Sequence, residues 1–410
     1  MSKLRFTRRR SLRSAVVVSC LAAVAAASAF AAGAGPDKIA TSRSGPCGTL
    51  PFIAPKGAST LNLLPKGYAA RYAGFTDYPI VKSAWANWKP KKKSGFNIQI
   101  VWVPKTNPLT NAALAGLQSA LKASGKVKTI QVQAVNQPTD VPLQLQQYQT
   151  AVSRKPDLIV AFPLIGSALA PLVNKAGAAG IPTVTASTGV PGKYAVGVNT
   201  NVYQSNGWEA ASVLKQIGGK GNVLIVHGLK GVPNDVAASN AYAKVLSRCP
   251  NVKIAGEVEG FFLNSTAKQV TQQFLATHPS GVSAVLTIGT MGTGVVQAFG
   301  QTGHDVAPIA DNAATQGEIA YWHGHPKFKG SMGLTPQAEY GTVPAQVVLR
   351  MLAGNGVKIN TLLDNAYVIS TLKQANAAFK PSYKESDVAG VAPPAGSYFT
   401  KSYLNGFFNK

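Results

Sequence analysis

From Phe96 onward the chain alternates short apolar runs with stretches of helical period, and this alternation constrains the fold more than any other feature. The runs are "FNIQIVWV", "KTIQVQAV", "DLIVAF", "IPTVTA", "NVLIVHG", "VKIAGEV", "SAVLTIG" and "APIADN". Between them lie segments such as "LTNAALAGLQSALKASG", "PLQLQQYQTAVSR" and "STAKQVTQQFLATHP", whose apolar residues recur at three and four. Strands apolar on both faces belong inside a parallel sheet, and parallel neighbours need right-handed helical crossovers. The expected class is α/β, built from doubly wound parallel sheets. Gly180, Ile181 and Pro182 illustrate one joint: glycine ends a helix and proline opens the next strand. This many strands exceed one lobe, and a chain of 410 residues passes the roughly 250 at which single cores stop growing. A weak internal symmetry, "FNIQIVWV" with its helix against "GNVLIVHG" with "NDVAASNAYAKVL", divides them into two lobes. The carboxyl ends of the strands then face one another across a cleft, where open parallel sheets bind ligands.

The first 31 residues differ from the rest. A basic start (Lys3, Arg5, Arg8, Arg9, Arg10, Arg13) runs into "SAVVVSCLAAVAAASAFA", with small residues at Ala27, Ala29 and Ala31. That pattern predicts a secretory signal cleaved after Ala29 or Ala31, so the protein is expected in the periplasm or on the outer face of the envelope. "RRRSLR" also suits twin-arginine export, and "VVSC" at Cys20 has the look of a lipoprotein site, although the apolar run continues past it. Removing six positive charges takes the net charge from +25 to about +19. An exported chain with scattered Lys and Arg is not expected to bind nucleic acid. The one dense run, "KPKKKSG" from Lys89, is expected to be a solvated linker. Cys47 and Cys249 remain after export, either as a disulfide tying the N-terminal extension to the end of a helix or as two thiols. From Ile39 to about Gly95 the chain is rich in Gly, Pro, Ser and Lys without sustained period, an extended segment partly packed through Trp85 and Trp88.

Enzyme signatures are sparse. No G-x-S-x-G elbow is present, "GGKGN" at Gly218 lacks phosphate-loop spacing, and no G-x-G-x-x-G follows the first strand. His323 and His325 in "YWHGHPKF" have no third ligand nearby and are expected in a surface turn, so neither a metal nor a cofactor is expected. Polar or aromatic residues do recur at expected strand ends: Asn107, Phe162, Ser187, Thr188, Thr290 and Asp311. Turn chemistry places such residues too, but their recurrence at one sheet edge points to a binding cleft.

At these residues the chain resembles the type 1 periplasmic solute-binding proteins of the ribose-binding kind, which serve ABC importers. The resemblance covers about Phe96 to Thr371 and rests on "NP" at Asn107, "LQLQQYQTAVSRKPDLIVAFP", "LAPLVNKAGAAGIPTV", "GGKGNVLIVHG", "FLATHPSGVSAVLTIG" and "IADN" in order. It implies a hinge of three crossings near Asn199 to Asn201, Leu334 and Leu363. The expected divisions are then a signal at 1–31, an extension at 32–95, lobe 1 at 96–199 with 335–363, lobe 2 at 200–334 with 364–375, and a tail at 376–410.

Carried over position by position, Asn107 matches a ligand-bonding Asn, Phe262 an aromatic that stacks on a sugar, and Asp311 a carboxylate that accepts hydroxyl protons. Elsewhere the chain departs from pentose binders. Phe162 stands for an Asn, Ser187 and Thr188 for Asp-Arg, Ala238 for an Arg, Gly289 and Thr290 for Asn-Asp, and Leu334 for a hinge Gln. Leu109 and Thr110 replace two aromatics. A buried monosaccharide needs nearly every hydroxyl paired, at about 1–3 kcal/mol for each left unpaired. The ligand is therefore expected to be sugar-like or more apolar, with Phe162, Phe262 and Trp208 offering stacking surface. The expected function is capture of a small solute by hinge closure and its delivery to a membrane ABC permease, by a monomer. A secreted sensor presenting the solute to a signalling receptor is the alternative.

Overall fold

The structure is a computed structural model describing residues 47–409 except Asn107, Pro336 and Asn365. The signal segment, Cys20 and Asn107 thus lie outside the described residues.

Five strands open the first sheet: β1 (Phe96–Trp102), β2 (Val127–Ala134), β3 (Leu158–Ala161), β4 (Thr183–Ala186) and β5 (Ala195–Asn199). Helices α1 (Pro108–Ala123), α2 (Val141–Ser153) and α3 (Gly166–Ala178) make the crossovers. The chain then passes through α4 (Val202–Gln216) into β6 (Lys220–His227), β7 (Asn251–Glu259), β8 (Ala284–Thr287), β9 (Ile309–Asp311) and β10 (Gly330–Leu334). Helices α5 (Pro233–Leu246), α6 (Asn264–Thr277), α7 (Gly292–Gln301) and α8 (Gln316–Gly324) connect these strands. After α9 (Glu339–Leu352), strand β11 (Thr361–Leu363) joins the first sheet and β12 (Tyr367–Ile369) the second, before α10 (Leu372–Ala378) and α11 (Lys401–Asn405).

The sheet orders are β11-β5-β4-β3-β1-β2 and β12-β10-β9-β8-β6-β7, the same pattern twice. Every pairing is parallel except β10 with β12. Both faces of both sheets carry apolar clusters, so β3, β4 and β8 are buried at every position. All eight apolar runs named from the sequence form strands. Strands β5, β10, β11 and β12 carried too little pattern to be read, because "AVGVN" and "GSMGL" are broken by glycine and the other two have three residues each.

Helices α1 and α9 pack closely through small residues. A Cβ on Gly341 would overlap the carbonyl oxygen of Ala113, and one on Gly116 would crowd the Ala338 carbonyl. Helix propensity alone favours alanine at an interior glycine, whereas the contact opposes it. Gly341→Ala is expected to lower stability by about 2 kcal/mol, read by urea unfolding, because overpacking outweighs propensity.

The extension is far more packed than its composition suggests. Tyr72, Phe75, Tyr78, Ile80 and Trp85 are buried in the first lobe's core, and Trp88 packs against it. Its hydrogen bonds are specific: Tyr72 donates to the Thr361 carbonyl at 2.8 Å, and Asn199 Nδ2 donates to the Tyr78 hydroxyl at 2.7 Å. Cys47 reaches the second lobe, where its sulfur lies 1.91 Å from that of Cys249 in a disulfide, and Arg248 donates to Thr49 Oγ1 at 2.6 Å. Aromatic anchors on irregular backbone leave no periodic trace, which is why the segment read as loosely organised. In the basic run, Lys92 pairs with Asp157 at 2.8 Å.

Candidate functional site

Between the carboxyl ends of the two sheets lies a cavity of about 560 Å³. Turns after β1, β3 and β4 supply Thr106, Phe162, Ser187 and Thr188, and the first turn of α1 supplies Leu109 and Thr110. From the second sheet's strand ends come Phe261, Phe262, Gly289, Thr290 and Asn312, from the crossings Thr200, Leu334, Thr335 and Asp364, and from the start of α9 Tyr340.

Phe162 is held from behind. Buried Gln144 donates to the Phe162 carbonyl at 3.0 Å and accepts from Leu164 N–H at 2.8 Å, clamping the turn at both ends. The Phe162 ring meets Trp102 edge-on, with centroids 5.3 Å apart. Trp102 in turn donates its indole N–H to the Thr110 carbonyl at 3.0 Å, which ties the α1 entry to β1. Across the cleft, the Phe262 ring lies on Gly228 and Gly289, neither of which has room for a Cβ beside it. Ser187, Phe261 and Phe262 have φ of 60°, 56° and 58°, in the left-handed region that non-glycine residues avoid. Of the described non-glycine residues with positive φ, only Lys155 lies elsewhere. Such strain gathers where surrounding structure holds a side chain toward a ligand.

Leu109, Thr110, Phe162, Ser187, Thr188, Phe262, Thr290 and Leu334 all line the cavity. Asp311 does not. Its carboxylate is wholly buried, accepting from Gly292 N–H at 2.9 Å and Ala313 N–H at 3.0 Å, so it caps the start of α7 behind the wall. The cavity-lining residue there is its neighbour Asn312, whose Oδ1 accepts from Gly289 N–H at 2.7 Å. Asp311 faces inward because β9 ends on it and its side chain meets the open amides of the next helix. Trp208 is also displaced, sitting 42% exposed on α4 outside the cavity. His323 stacks on Phe379 and His325 on Tyr321, and among the described residues no group of three metal-binding side chains forms.

Asp364, Tyr340, Thr200 and Asn312 were not singled out from sequence, nor were Pro393 and Tyr398 of the tail, which also line the cavity. "IADN" contained Asn312 beside the residue chosen, and Asp364 follows the "TLL" of a crossing. Nothing local marks Tyr398, which sits 34 residues on from Asp364 in chain number. Among the described residues Asp364 is the one carboxylate on the lining, and no Lys, Arg or His accompanies it. Burial raises its carboxyl to about 7, against a hydrogen bond from Thr200 Oγ1 at 2.7 Å that works the other way.

A family model described as "Periplasmic binding protein domain" matches residues 98–356, more than half of the chain. The chain belongs to this family. Its members are solute-binding proteins, not enzymes. Among solved structures, this binding protein is similar to an ABC transporter solute-binding protein of Thermobispora bispora, with 22% identity and a TM-score of 0.62 over 70% of this chain and 89% of that one. A solute-binding protein of Bacillus halodurans with bound myo-inositol gives 15% and 0.62, over 70% and 98%. A curated relative, the xylitol-binding protein of Mycolicibacterium smegmatis, is 23% identical over 172 residues, and the match spans 42% of this chain and 49% of that protein.

Proposed function

We propose that this binding protein is the extracytoplasmic solute receptor of an ABC importer and captures a small uncharged polyol or sugar-like solute between its lobes. The observation that carries this is the lining: among the described residues, no cation, one buried carboxylate, and apolar or aromatic walls at Phe162 and Phe262. A phosphorylated or carboxylate solute would find no countercharge there, and burying an unpaired anion is strongly unfavourable. A neutral solute with an apolar face meets hydroxyls at Thr188, Thr200 and Thr290 and rings on which to stack. Relatives described as binding xylitol and myo-inositol support the same class. The basic, apolar leader and the disulfide suit an oxidising compartment. Among the described residues no helix is long and apolar enough to cross a membrane.

Mechanism follows from the two lobes. Solute contacting both sides favours the closed pair over the open one, and the permease reads the closed surfaces. The test is a thermal-shift and calorimetric panel of xylitol, myo-inositol, D-ribose and L-arabinose against sugar phosphates and aromatic acids. Saturable binding of the neutral group is expected, with about 2.7 kcal/mol of stabilisation at 100 times the dissociation constant. Phe162→Ala should weaken it by about tenfold through lost stacking. Binding confined to anionic solutes would overturn the assignment.

A further inference from the structure

The tail after α10 crosses from one lobe to the other and reaches the cavity on its way. Residue Val391 donates its N–H to the Ala314 carbonyl at 2.9 Å and accepts from Thr335 N–H at 2.9 Å, just past the ends of β9 and β10 of the second sheet. Further on, Tyr403 donates to the Leu363 carbonyl at 2.7 Å, and Lys358 N–H donates to the Phe407 carbonyl at 2.9 Å, fixing the end of the chain to the first lobe. Between these anchors Pro393 and Tyr398 line the cavity, beyond the end of the family match at residue 356.

Tyr398 is 2% exposed, and its hydroxyl faces Thr200 without making a well-formed hydrogen bond among the described residues. Asp364, 4% exposed on the third crossing, accepts from Thr200 with Oδ2, while Oδ1 makes no well-formed hydrogen bond among the described residues, although the backbone amides of Asn201 and of Asp364 itself face the carboxylate. Tyr340 joins them: its ring meets that of Tyr398 edge-on at 5.4 Å, and its hydroxyl lies 3.1 Å from Thr200 Oγ1. Two buried polar atoms without well-formed hydrogen bonds, on residues that line one cavity, are a cost that a ligand drawing them toward it relieves. Arg71 faces Asp364 from the extension, but no ion pair forms, and its guanidinium lies over the Tyr403 ring at 4.2 Å.

We propose that Asp364 and Tyr398 form the polar end of the binding cleft and take a pair of adjacent hydroxyls on the solute, one donating to Asp364 Oδ1 and its neighbour accepting from the Tyr398 hydroxyl. The inference rests on the neutral-polyol reading of the cleft and adds that the C-terminal tail supplies a specificity-determining residue. Because the Tyr398 hydroxyl makes no well-formed hydrogen bond among the described residues, with Thr200 the side chain that faces it, its contribution is expected to depend on the ligand more than on folding.

The experiment titrates xylitol, myo-inositol and D-ribose calorimetrically into the mature chain and into Asp364→Asn, Tyr398→Phe and the double variant, with the melting temperature of each unliganded protein measured alongside. Each single variant is expected to weaken the best-bound probe at least tenfold, with the unliganded melting temperature of Tyr398→Phe unchanged or raised. In the double variant the loss is expected to be less than the product of the two, since both groups serve one pair of hydroxyls. Wild-type affinity in both single variants overturns the subsite and leaves the polyol reading standing. A lowered melting temperature with unaltered affinity in Tyr398→Phe assigns the tyrosine to structure and overturns it too. A wild type that binds no probe overturns both readings together.

Discussion

Replacing Cys47 and Cys249 by serine is expected to lower the stability of the mature chain by about 2–5 kcal/mol, the range for loss of a native disulfide. The two cysteines are 202 residues apart in sequence, so the bond removes much of the unfolded chain's freedom. It also holds the start of the extension on the second lobe, while Tyr72, Phe75 and Tyr78 anchor the rest in the first. Guanidinium unfolding of wild type and variant, with and without reductant, measures the effect. Reductant should bring the wild type down to the variant and leave the variant unmoved. A difference below about 1 kcal/mol would show that packing of Leu50 and Arg248 holds the strap without the bond.

Stability is expected to fall as pH rises from about 4 to about 8. Glu209, Asp311 and Glu318 are wholly buried together between α4, β9 and α8, and both Glu209 oxygens lack partners among the described residues. Burial and their mutual repulsion hold Glu209 and Glu318 well above the ordinary carboxyl range, with Tyr242 facing the same cluster. Burial takes Asp311 to about 6 despite its two amide donors. Asp364 at about 7 adds to them. A carboxyl whose pKa is raised by folding leaves the native state holding more protons than the unfolded chain, so unfolding becomes easier as pH increases between the two values. Moving one carboxyl from 3.8 to about 7 corresponds to roughly 4 kcal/mol across that window.

His227 acts in the same direction. Burial lowers its pKa, but the hydrogen bond and charge of Asp235 outweigh this and raise it, so its contribution is present below its unfolded pKa and lost as pH rises. Melting temperature should therefore be higher at pH 5 than at pH 8, and Glu209→Gln should raise it at pH 8 while changing little at pH 5. Equal or greater stability at pH 8 in the wild type would refute the assignment of these groups as protonated when buried.

The fold was legible where burial imposes a pattern. Strands such as "DLIVAF" and "SAVLTIG" are apolar on both faces because a parallel sheet covers both faces, and that requirement is written residue by residue into the chain. The cleft was legible to the same extent, since a parallel strand's end is a fixed place in sequence and Phe162, Ser187 and Thr290 follow such ends. Choosing between neighbours was harder. Asp311 and Asn312 differ by one position, and only the start of α7, with its open amides, decides that the acid turns inward and leaves Asn312 on the cavity wall.

What the sequence determined by itself is therefore the doubly wound pair of lobes, the place where they meet, and the small exchange of residues that makes the cleft poor in charge. What only the tertiary structure decided is which distant segments complete it. Asp364 and Tyr398 carry no periodic signal, and their meeting depends on the third crossing and on a tail anchored at both ends by Val391 and Tyr403. Local patterns record local burial, whereas a contact between far segments is set by the sum of the packing that brings them together.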